Sequence, residues 1–192
     1  MNIVTVSHSD YAVFLEAFLE YMAEVPAFRE LEQYAAGQGK SLRELGEAVW
    51  SACHRVGEVR GIFDQQHKLI AFTFYMRLST VEREEPDAYA ALFTAPFPAL
   101  LLERMLSLGD DMLYLLGIGV DPLYRRQGIA KCLIADLMER YPGYGIMADV
   151  SGTISLPMYQ ALGFTIEPLP GEHPYFFVYR DAVSDQPNSG LL

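Results

Sequence analysis

The sequence has little cysteine and little positive charge, and each shortage excludes a class of protein. Two cysteines, Cys53 and Cys132, are too few for a disulfide framework or a cysteine-based metal site. The 192 residues include 14 lysines and arginines against 25 aspartates and glutamates, which gives a net charge of −11. Nucleic acid is therefore not an expected partner, because its phosphate backbone requires a basic protein surface.

Long apolar runs are also lacking. The longest one, residues 88–102, spans 15 residues and is interrupted by Pro96 and Pro98. A membrane-spanning helix needs about 20 apolar residues. The chain starts with the strand-like alternation of residues 3–6 and not with the pattern of a signal peptide. We therefore expect a cytoplasmic protein with no membrane partner.

The remaining composition is that of a globular protein. Apolar residues make up 51% of the chain and charged residues 20%, which can supply a full core. We expect one domain over residues 1–181, followed by a flexible polar tail at residues 182–192. The spacing of His8, His54 and His67 is not that of metal ligands, so we expect no metal site.

Hydrophobic periodicity predicts a mixed α+β fold. Ser9 is predicted to cap the first helix, and Ser41 and Glu44 form a capping box before the third.

A helical insertion is predicted at about residues 79–110. It can shield a substrate site, form a face between two copies of the chain, or extend the core. The predicted strands are residues 2–6, 57–63, 69–77, 112–120, 145–150, 164–167 and 174–180. The predicted helices are residues 10–24, 27–36, 42–53, 127–140 and 154–162.

The segment from residue 112 to residue 131 is the most informative part of the chain. Its hydrophobic strand ends at Asp121, a short basic loop follows, and an amphipathic helix begins at about Ile129. The first N–H groups of a helix lack partners within the helix, and the helix dipole adds positive charge there, so a phosphate fits this position. The spacing is not that of a Walker A loop. It is not a Rossmann fingerprint either, because Gly117-x-Gly119 lacks a third glycine and lies inside the strand.

Two motifs in this half of the chain resemble those of the GNAT superfamily of N-acetyltransferases. Arg125, Gly128 and Ala130 occupy the [Gln/Arg]-x-x-Gly-x-[Gly/Ala] pattern of motif A, after the run Val-Asp-Pro-Leu-Tyr at residues 120–124. The run Met-Tyr-Gln-Ala-Leu-Gly-Phe at residues 158–164 resembles motif B. The two motifs stand in the order typical of the family, with one predicted helix and one predicted strand between them.

The resemblance implies the GNAT fold, a twisted mixed sheet flanked by helices, and an acetyl-CoA-dependent N-acetyltransferase. It implies that main-chain amides of the loop hold the pyrophosphate of acetyl-CoA. It also implies a bulge in the fourth strand, consistent with Gly117 and Gly119, which frees backbone groups for the pantetheine arm. Tyr159 is implied as the general acid that protonates the departing thiolate. The implied cofactor-binding residues are Ile118, Gly119, Val120, Arg125, Arg126, Gln127, Gly128, Ile129, Ala130 and Lys131.

Charge supports the same reading of the loop. Arg125, Arg126 and Lys131 form a positive island in an acidic chain, which suits the polyanionic CoA. The expected acceptor is a primary amine of a small molecule or peptide, and the negative net charge favours a cationic one. Motif B departs from the family at one position, because Gly152 stands where an asparagine is common; Ser151 or Ser155 can take over its contact.

The sequence does not identify the general base. Many members of the family place a glutamate on the fourth strand, but residues 112–120 contain no acid and no histidine. The candidates are Asp149, Tyr114, Tyr75, His173 and a water chain. The missing acid supports an alternative function, a non-catalytic acyl-CoA-binding sensor or assembly domain. The sequence is also compatible with a homodimer.

Overall fold

The computed structural model describes residues 2–23, 36, 39, 41–77, 103, 107–108, 111–169 and 175–182. Its centre is a seven-stranded, mostly antiparallel sheet flanked by helices. The strand order is β1-β2-β3-β4-β5-β7-β6, and β4 and β5 form a parallel pair. The strands are β1 (Val4–Thr5), β2 (Gly57–Phe63), β3 (Leu69–Arg77), β4 (Met112–Val120), β5 (Gly145–Ser151), β6 (Thr165–Pro168) and β7 (Tyr175–Arg180).

Four helices pack on the described sheet, and the predicted mixed α+β class is confirmed. The helices are α1 (Tyr11–Met22), α2 (Leu42–Val56), α3 (Ile129–Arg140) and α4 (Leu156–Ala161). Most strand bounds agree with the sequence-based prediction to within a residue, although β1 is shorter and α2 continues past Cys53 to Val56. The predicted helix at residues 27–36 and the predicted insertion at residues 79–110 lie almost wholly outside the described residues. His173 and nearly all of the predicted tail lie outside them as well.

Local hydrogen bonds explain where the first two helices begin. The N-cap of α1 is Asp10 and not the predicted Ser9. Ser7 caps a 3-10 turn, His8–Asp10, ahead of the helix, and its N–H donates to the Asp10 carboxylate (3.0 Å). Ser9 lies inside that turn. The capping box before α2 is confirmed, since the Ser41 N–H donates to the Glu44 carboxylate (2.6 Å) and the Glu44 N–H donates to the Ser41 hydroxyl (3.3 Å).

The sheet separates two apolar layers. On one face, α1 and α2 bury an aromatic cluster that includes Phe14, Trp50 and Phe72. On the other face, α3 and α4 cover a second cluster that includes Leu137 of α3 and Tyr159 of α4. Burial of side chains of this size contributes about 1.5–3 kcal/mol each, so these layers fix the positions of the helices on the sheet.

An irregularity in β4 separates it from β5. Phe74 of β3 pairs with Gly117, but the next residue of β3 pairs with Leu115, so Leu116 is an extra residue in β4. Pairing between β4 and β5 covers Met112 to Tyr114. Beyond Tyr114 the two strands diverge, and we call the space between their diverging ends the split.

The structure corrects the predicted origin of the bulge. The bulged residue is Leu116, directly before Gly117, and Gly119 serves a different purpose. A Cβ atom at Gly119 would lie 2.4 Å from Cζ of Phe72, well inside van der Waals contact. Gly119 therefore admits the Phe72 ring against the sheet.

Candidate active site

The loop between β4 and α3 presents main-chain N–H groups to solvent. We call residues 125–131 the anion loop. Arg126 and Gly128 both adopt left-handed backbone conformations, with φ of 60° and 81°. The first bond of α3 runs from the Cys132 N–H to the Gly128 carbonyl (3.0 Å), so the preceding N–H groups of residues 129–131 have no carbonyl partner within the helix. This end of α3 therefore has the geometry and the dipole to bind an anion.

Gly128 leaves room at the same place. A Cβ atom there would meet nothing within 4 Å, so the glycine is required by its positive φ and not by crowding. Among residues with a side chain, asparagine and aspartate tolerate the left-handed region best. The open space in front of α3 is available to a ligand.

Side chains of the anion loop divide into two groups. The Arg125 Nε donates to the Val120 carbonyl (3.0 Å), and the Gln127 amide donates to the Leu123 carbonyl (3.3 Å), so both brace the loop. The side chains of Arg126 and Lys131 are exposed. The predicted positive island therefore lies at the surface, and part of it serves the shape of the loop.

Asp121 fixes the start of the loop, and sequence reasoning did not identify it. Its side chain is 2% exposed, it accepts from the Leu123 N–H (2.9 Å), and it forms a 2.6 Å ion pair with Lys68. The Tyr21 hydroxyl lies 3.2 Å from the same carboxylate. Burial alone raises the pKa of Asp121, but Lys68, the Leu123 N–H and Tyr21 together hold that pKa below its ordinary value. The local signal was only an aspartate before a proline, which is typical of any turn.

The free edge of β4 faces the split. The Asp121 N–H donates to the Ile70 carbonyl on the β3 side (2.9 Å). Because successive N–H groups of a strand point to opposite edges, the N–H groups of Val120 and Ile118 point away from β3, toward the split. The predicted pair of amides is thus at the edge where β4 has lost its pairing with β5.

Two tyrosines and one aspartate lie at the split. The Tyr114 hydroxyl of β4 donates a hydrogen bond to the Asp149 carboxylate of β5. Burial raises the pKa of Asp149, an effect that the bond from Tyr114 opposes but does not cancel. Tyr159 of α4 is buried in the same apolar cluster as Leu115 of β4 and Val150 of β5, on the face of the sheet that α3 and α4 cover. Burial, followed by the charge of Asp149, raises the pKa of Tyr159.

Motif B has a clear local role. Gly163 ends α4 with a positive φ of 79°, and the Phe164 N–H then donates to the Tyr159 carbonyl (3.1 Å). The Phe164 ring packs on the Tyr159 ring in an edge-to-face arrangement at 5.2 Å. Gly152 has a φ of 76°, so this position contributes a turn of the backbone in place of the side chain common in the family. The glycines and Phe164 therefore orient Tyr159.

Tyr75, another base candidate, belongs to a different cluster. Its hydroxyl donates to Glu58 (2.5 Å) and lies 3.0 Å from the Tyr141 hydroxyl. Burial and Glu58 raise its pKa, which keeps the phenol protonated. Tyr141 follows the C-terminal end of α3, one helix length of about 18 Å from the anion loop.

A partly buried ion pair ties α3 to the sheet. Arg60 of β2 donates to both carboxylate oxygens of Asp136 (3.0 and 3.1 Å) and also to Thr5 and Ile3. Such a two-pronged contact is geometrically specific. It fixes the helix whose N-terminus forms the anion loop, and no local pattern in the chain predicts it, because the two residues are 76 positions apart.

The described ranges contain neither a cluster of metal ligands nor a membrane-spanning helix. There, no three histidine, cysteine, aspartate or glutamate side chains gather as metal ligands. None of the helices in that part of the chain has the length and hydropathy needed to cross a membrane.

Comparison with known proteins assigns the chain to a family. The sequence model of the acetyltransferase (GNAT) family matches residues 47–164, which include the anion loop, the split and Tyr159. This chain belongs to the GNAT family. The family consists of acyltransferases that generally use acetyl-CoA, and the predicted family and fold are both confirmed. No curated protein matches the sequence.

Solved structures share the GNAT fold over nearly the whole chain. One, described as histone acetyltransferase HPA2 and related acetyltransferase from Corynebacterium glutamicum, is 16% identical, with a TM-score of 0.68 over 96% of this chain and 98% of that one. Arylalkylamine N-acetyltransferase 2 from Aedes aegypti is 14% identical, with a TM-score of 0.65 over 94% and 98%. The ribosomal-protein-S18-alanine N-acetyltransferase from Escherichia coli is 15% identical, with a TM-score of 0.57 over 99% of each chain. At these identities the similarity shows the GNAT fold alone.

Proposed function

We propose that this protein transfers an acetyl group from acetyl-CoA directly to a primary amine of a small molecule or peptide. The observation that carries the proposal is Tyr159, which is buried in one apolar cluster with residues of both strands of the split and is close enough to Asp149 for that charge to raise its pKa. Parallel β4 and β5 end at the same edge of the sheet, where the anion loop begins. A donor lying along this edge would have its diphosphate at the loop and its thioester near Tyr159.

Backbone groups would hold the donor. We assign the diphosphate to the N–H groups of residues 126–131 of the anion loop, supported by the charge of Arg126 and Lys131 at the surface, since the Arg125 N–H already donates to the Pro122 carbonyl (3.4 Å). We assign the pantetheine arm and the thioester carbonyl to the N–H groups of Ile118 and Val120 at the split. Oriented amides at a carbonyl oxygen stabilise the negative charge that develops there during attack. Acetyl-CoA, when bound, supplies the reactive thioester.

Tyr159 would supply the proton to the leaving sulfur. Its raised pKa keeps the hydroxyl protonated until the C–S bond breaks. A free thiol has a pKa near 8.5, so full proton transfer from a tyrosine requires that its own pKa fall during the reaction. The orientation of its ring by Phe164 is consistent with a positioned general acid.

The competing function is acyl-CoA binding without turnover. The observation in its favour is that β4 carries no acid or histidine. Such a sensor would need the anion loop and the amides of the split, but it would have no use for an oriented, buried Tyr159. We also propose that the chain acts in the cytoplasm as a single domain over residues 1–181.

Thiol release distinguishes the two functions. Acetyl-CoA is incubated with a thiol-reactive dye and a panel of alkylamines, arylalkylamines, polyamines, amino acids and peptides, and acetyl-CoA binding is measured separately by calorimetry. Binding together with amine-dependent thiol release supports the transferase and identifies its acceptor class. Binding without release for every amine supports the sensor, and no binding contradicts both.

A further inference from the structure

The hydrogen bond between Tyr114 and Asp149 bridges the start of the split. Tyr114 forms the last pair of the β4–β5 ladder, opposite Met147. Asp149 lies two residues further along β5, where that ladder has ended. The bond from the Tyr114 hydroxyl therefore holds a carboxylate at the mouth of the opening between the strands.

The partner of Asp149 differs from the partners of two other aspartates near the sheet. Asp121 is paired with Lys68, and Asp136 with Arg60. In the part of the chain that the structure describes, Asp149 is bonded to a hydroxyl and has no ion pair. A cation fixes the charge of a structural carboxylate, whereas a hydroxyl orients a carboxylate and leaves it able to take a proton.

We infer that Asp149 is the general base of the transfer and that Tyr114 is the positioning residue for its carboxylate. The inference rests on the proposed function and names the group that removes protons from the acceptor amine. Among the described residues, the titratable groups near Asp149 are Tyr114 from β4, Tyr159 from α4, Tyr179 from β7, which pairs with Met147, and Glu167 from β6, which lies on the far side of Phe177. Burial makes the carboxylate a stronger base than one in water.

The protons balance in this scheme. The acceptor ammonium gives one proton to Asp149, and the neutral amine attacks the carbonyl carbon, forming a C–N bond. The C–S bond then breaks with its electron pair on sulfur, which takes the proton of Tyr159. The nitrogen loses its second proton to the Tyr159 phenolate, and Asp149 releases its proton to solvent. The products are the amide, free CoA thiol and one proton.

Protonation of Asp149, the proposed base, also changes the pKa of Tyr159, the proposed acid. The charge of Asp149 is one cause of the raised pKa of Tyr159. When Asp149 takes the first proton, that charge disappears and the pKa of Tyr159 falls. Tyr159 thus becomes a better donor after the amine has been deprotonated, as the departing thiolate requires.

Two pairs of variants test the inference, with the amine that proves most active in the thiol-release panel. Asp149→Asn removes the base, and Glu167→Gln is its control, because Glu167 also accepts from a tyrosine, Tyr179 (3.1 Å), on the same sheet. We expect Asp149→Asn to lower kcat/KM about a hundredfold and to abolish the acidic limb of its pH profile, with acetyl-CoA affinity unchanged. We expect Glu167→Gln to change kcat/KM less than about threefold.

Tyr114→Phe tests the positioning role, with Tyr179→Phe as its control. The bond from Tyr114 lowers the pKa of Asp149, so its loss raises that pKa. The acidic limb of kcat/KM should then move to higher pH, with a fall of about tenfold at neutral pH. A purely structural role for Tyr114 would lower activity without moving the limb, and Tyr179→Phe should leave the limb in place.

Several outcomes overturn the inference. One is an Asp149→Asn protein that keeps the wild-type acidic limb; another is equal losses in Asp149→Asn and Glu167→Gln. Circular dichroism checks that each variant is folded. If the wild-type protein acetylates no amine in the panel, the proposed function fails first. If it does acetylate one and Asp149→Asn behaves as wild type, the base assignment alone fails.

Discussion

The anion loop and the split are built from different parts of the chain. The anion loop is one continuous segment, and it offers main-chain N–H groups from an exposed helix end. The split draws on β4, β5 and α4, and it offers the buried side chains of Tyr114 and Tyr159 with the partly buried carboxylate of Asp149. The loop depends on backbone shape, whereas the split depends on which side chains long-range folding brings together.

This difference means that binding of the acetyl donor depends on the anion loop, whereas the transfer reaction depends on the split. A main-chain site accepts most substitutions that preserve φ and ψ, because the donors are present in every residue except proline. A side-chain site loses its function when a single hydroxyl or carboxylate is removed. Substitutions in the loop should therefore act on donor affinity, and substitutions at the split should act on turnover.

The largest effect is expected from a charge placed at the loop. Gly128→Asp and Gly128→Asn have the same size, and both side chains tolerate the left-handed backbone of this position. A carboxylate facing the diphosphate should weaken acetyl-CoA binding about a hundredfold or more relative to the asparagine variant. Gly128→Glu should abolish binding in the same way.

Calorimetry measures these affinities. Aspartate at a helix N-terminus stabilises the helix, so lost binding in Gly128→Asp would not be a consequence of unfolding. Equal affinities of the aspartate and asparagine variants would exclude the loop as the diphosphate site.

At the split, Tyr159→Phe should lower kcat by about tenfold or more, because the proton for the leaving sulfur is lost. Acetyl-CoA affinity should change little, since the phenylalanine ring still packs on Phe164. Steady-state kinetics and calorimetry on the same preparation give both values. Tyr144→Phe, a tyrosine beyond α3, is the control; unchanged turnover in Tyr159→Phe would remove Tyr159 from the acid role.

Between the two regions lies Asp121, and its replacement should affect stability. The pKa of Asp121 is lowered in the folded protein, so its stabilising effect is complete above the unfolded value of about 3.9 and is lost as pH falls through the folded pKa. Asp121→Asn should lower Tm by roughly 3–8 °C at pH 7.

Thermal melts of Asp121→Asn and wild type across pH test this assignment. The difference in Tm should persist down to about pH 4 and shrink in more acidic solution. A difference that does not depend on pH would mean that the Lys68 ion pair contributes nothing to it.

The smallest effect is expected for the exposed side chain of Arg126. Arg126→Gln removes its charge and keeps its main-chain N–H, so acetyl-CoA affinity should fall less than about threefold. Titrations at low and high salt should give similar ratios of the two affinities. A tenfold or larger loss would show that the loop binds through side-chain charge as well as through its backbone.

The sequence predicted the elements that depend on local pattern. The hairpin turn at residues 64–68 located β2 and β3, a hydrophobic run located β4, and the glycine in motif A located the start of α3. Local pattern predicts Ser9 as the cap of α1, but the hydrogen bonds between Ser7 and Asp10 place Ser9 inside a 3-10 turn and make Asp10 the cap.

Pairs of residues far apart in the chain could not be predicted in this way. Tyr114 and Asp149 are 35 residues apart, and Lys68 and Asp121 are 53 apart. Tyr75 and Tyr114 are both strand tyrosines in the sequence, and only the fold directs one toward Glu58 and the other toward Asp149. Such contacts depend on strand order and helix packing, which local periodicity does not specify.

The extra residue in β4 has a consequence for changes in chain length. Leu116 reverses the alternation of the strand, so Tyr114 and Leu116 pack in the layer of α1 and α2 while Ile118 and Val120 pack toward α3. Deleting Leu116 would restore the regular alternation, keep Ile118 and Val120 in their present layer, and remove the bulge after which β4 no longer pairs with β5, so the split would be lost. Inserting a residue after Gly117 would instead turn the outer half of the strand over, aim the N–H groups of Ile118 and Val120 at β3, and carry their side chains into the opposite layer. β4 should therefore tolerate many substitutions but no single-residue insertion or deletion. Among functional variants of this chain, the length of β4 should vary less than the residues in it.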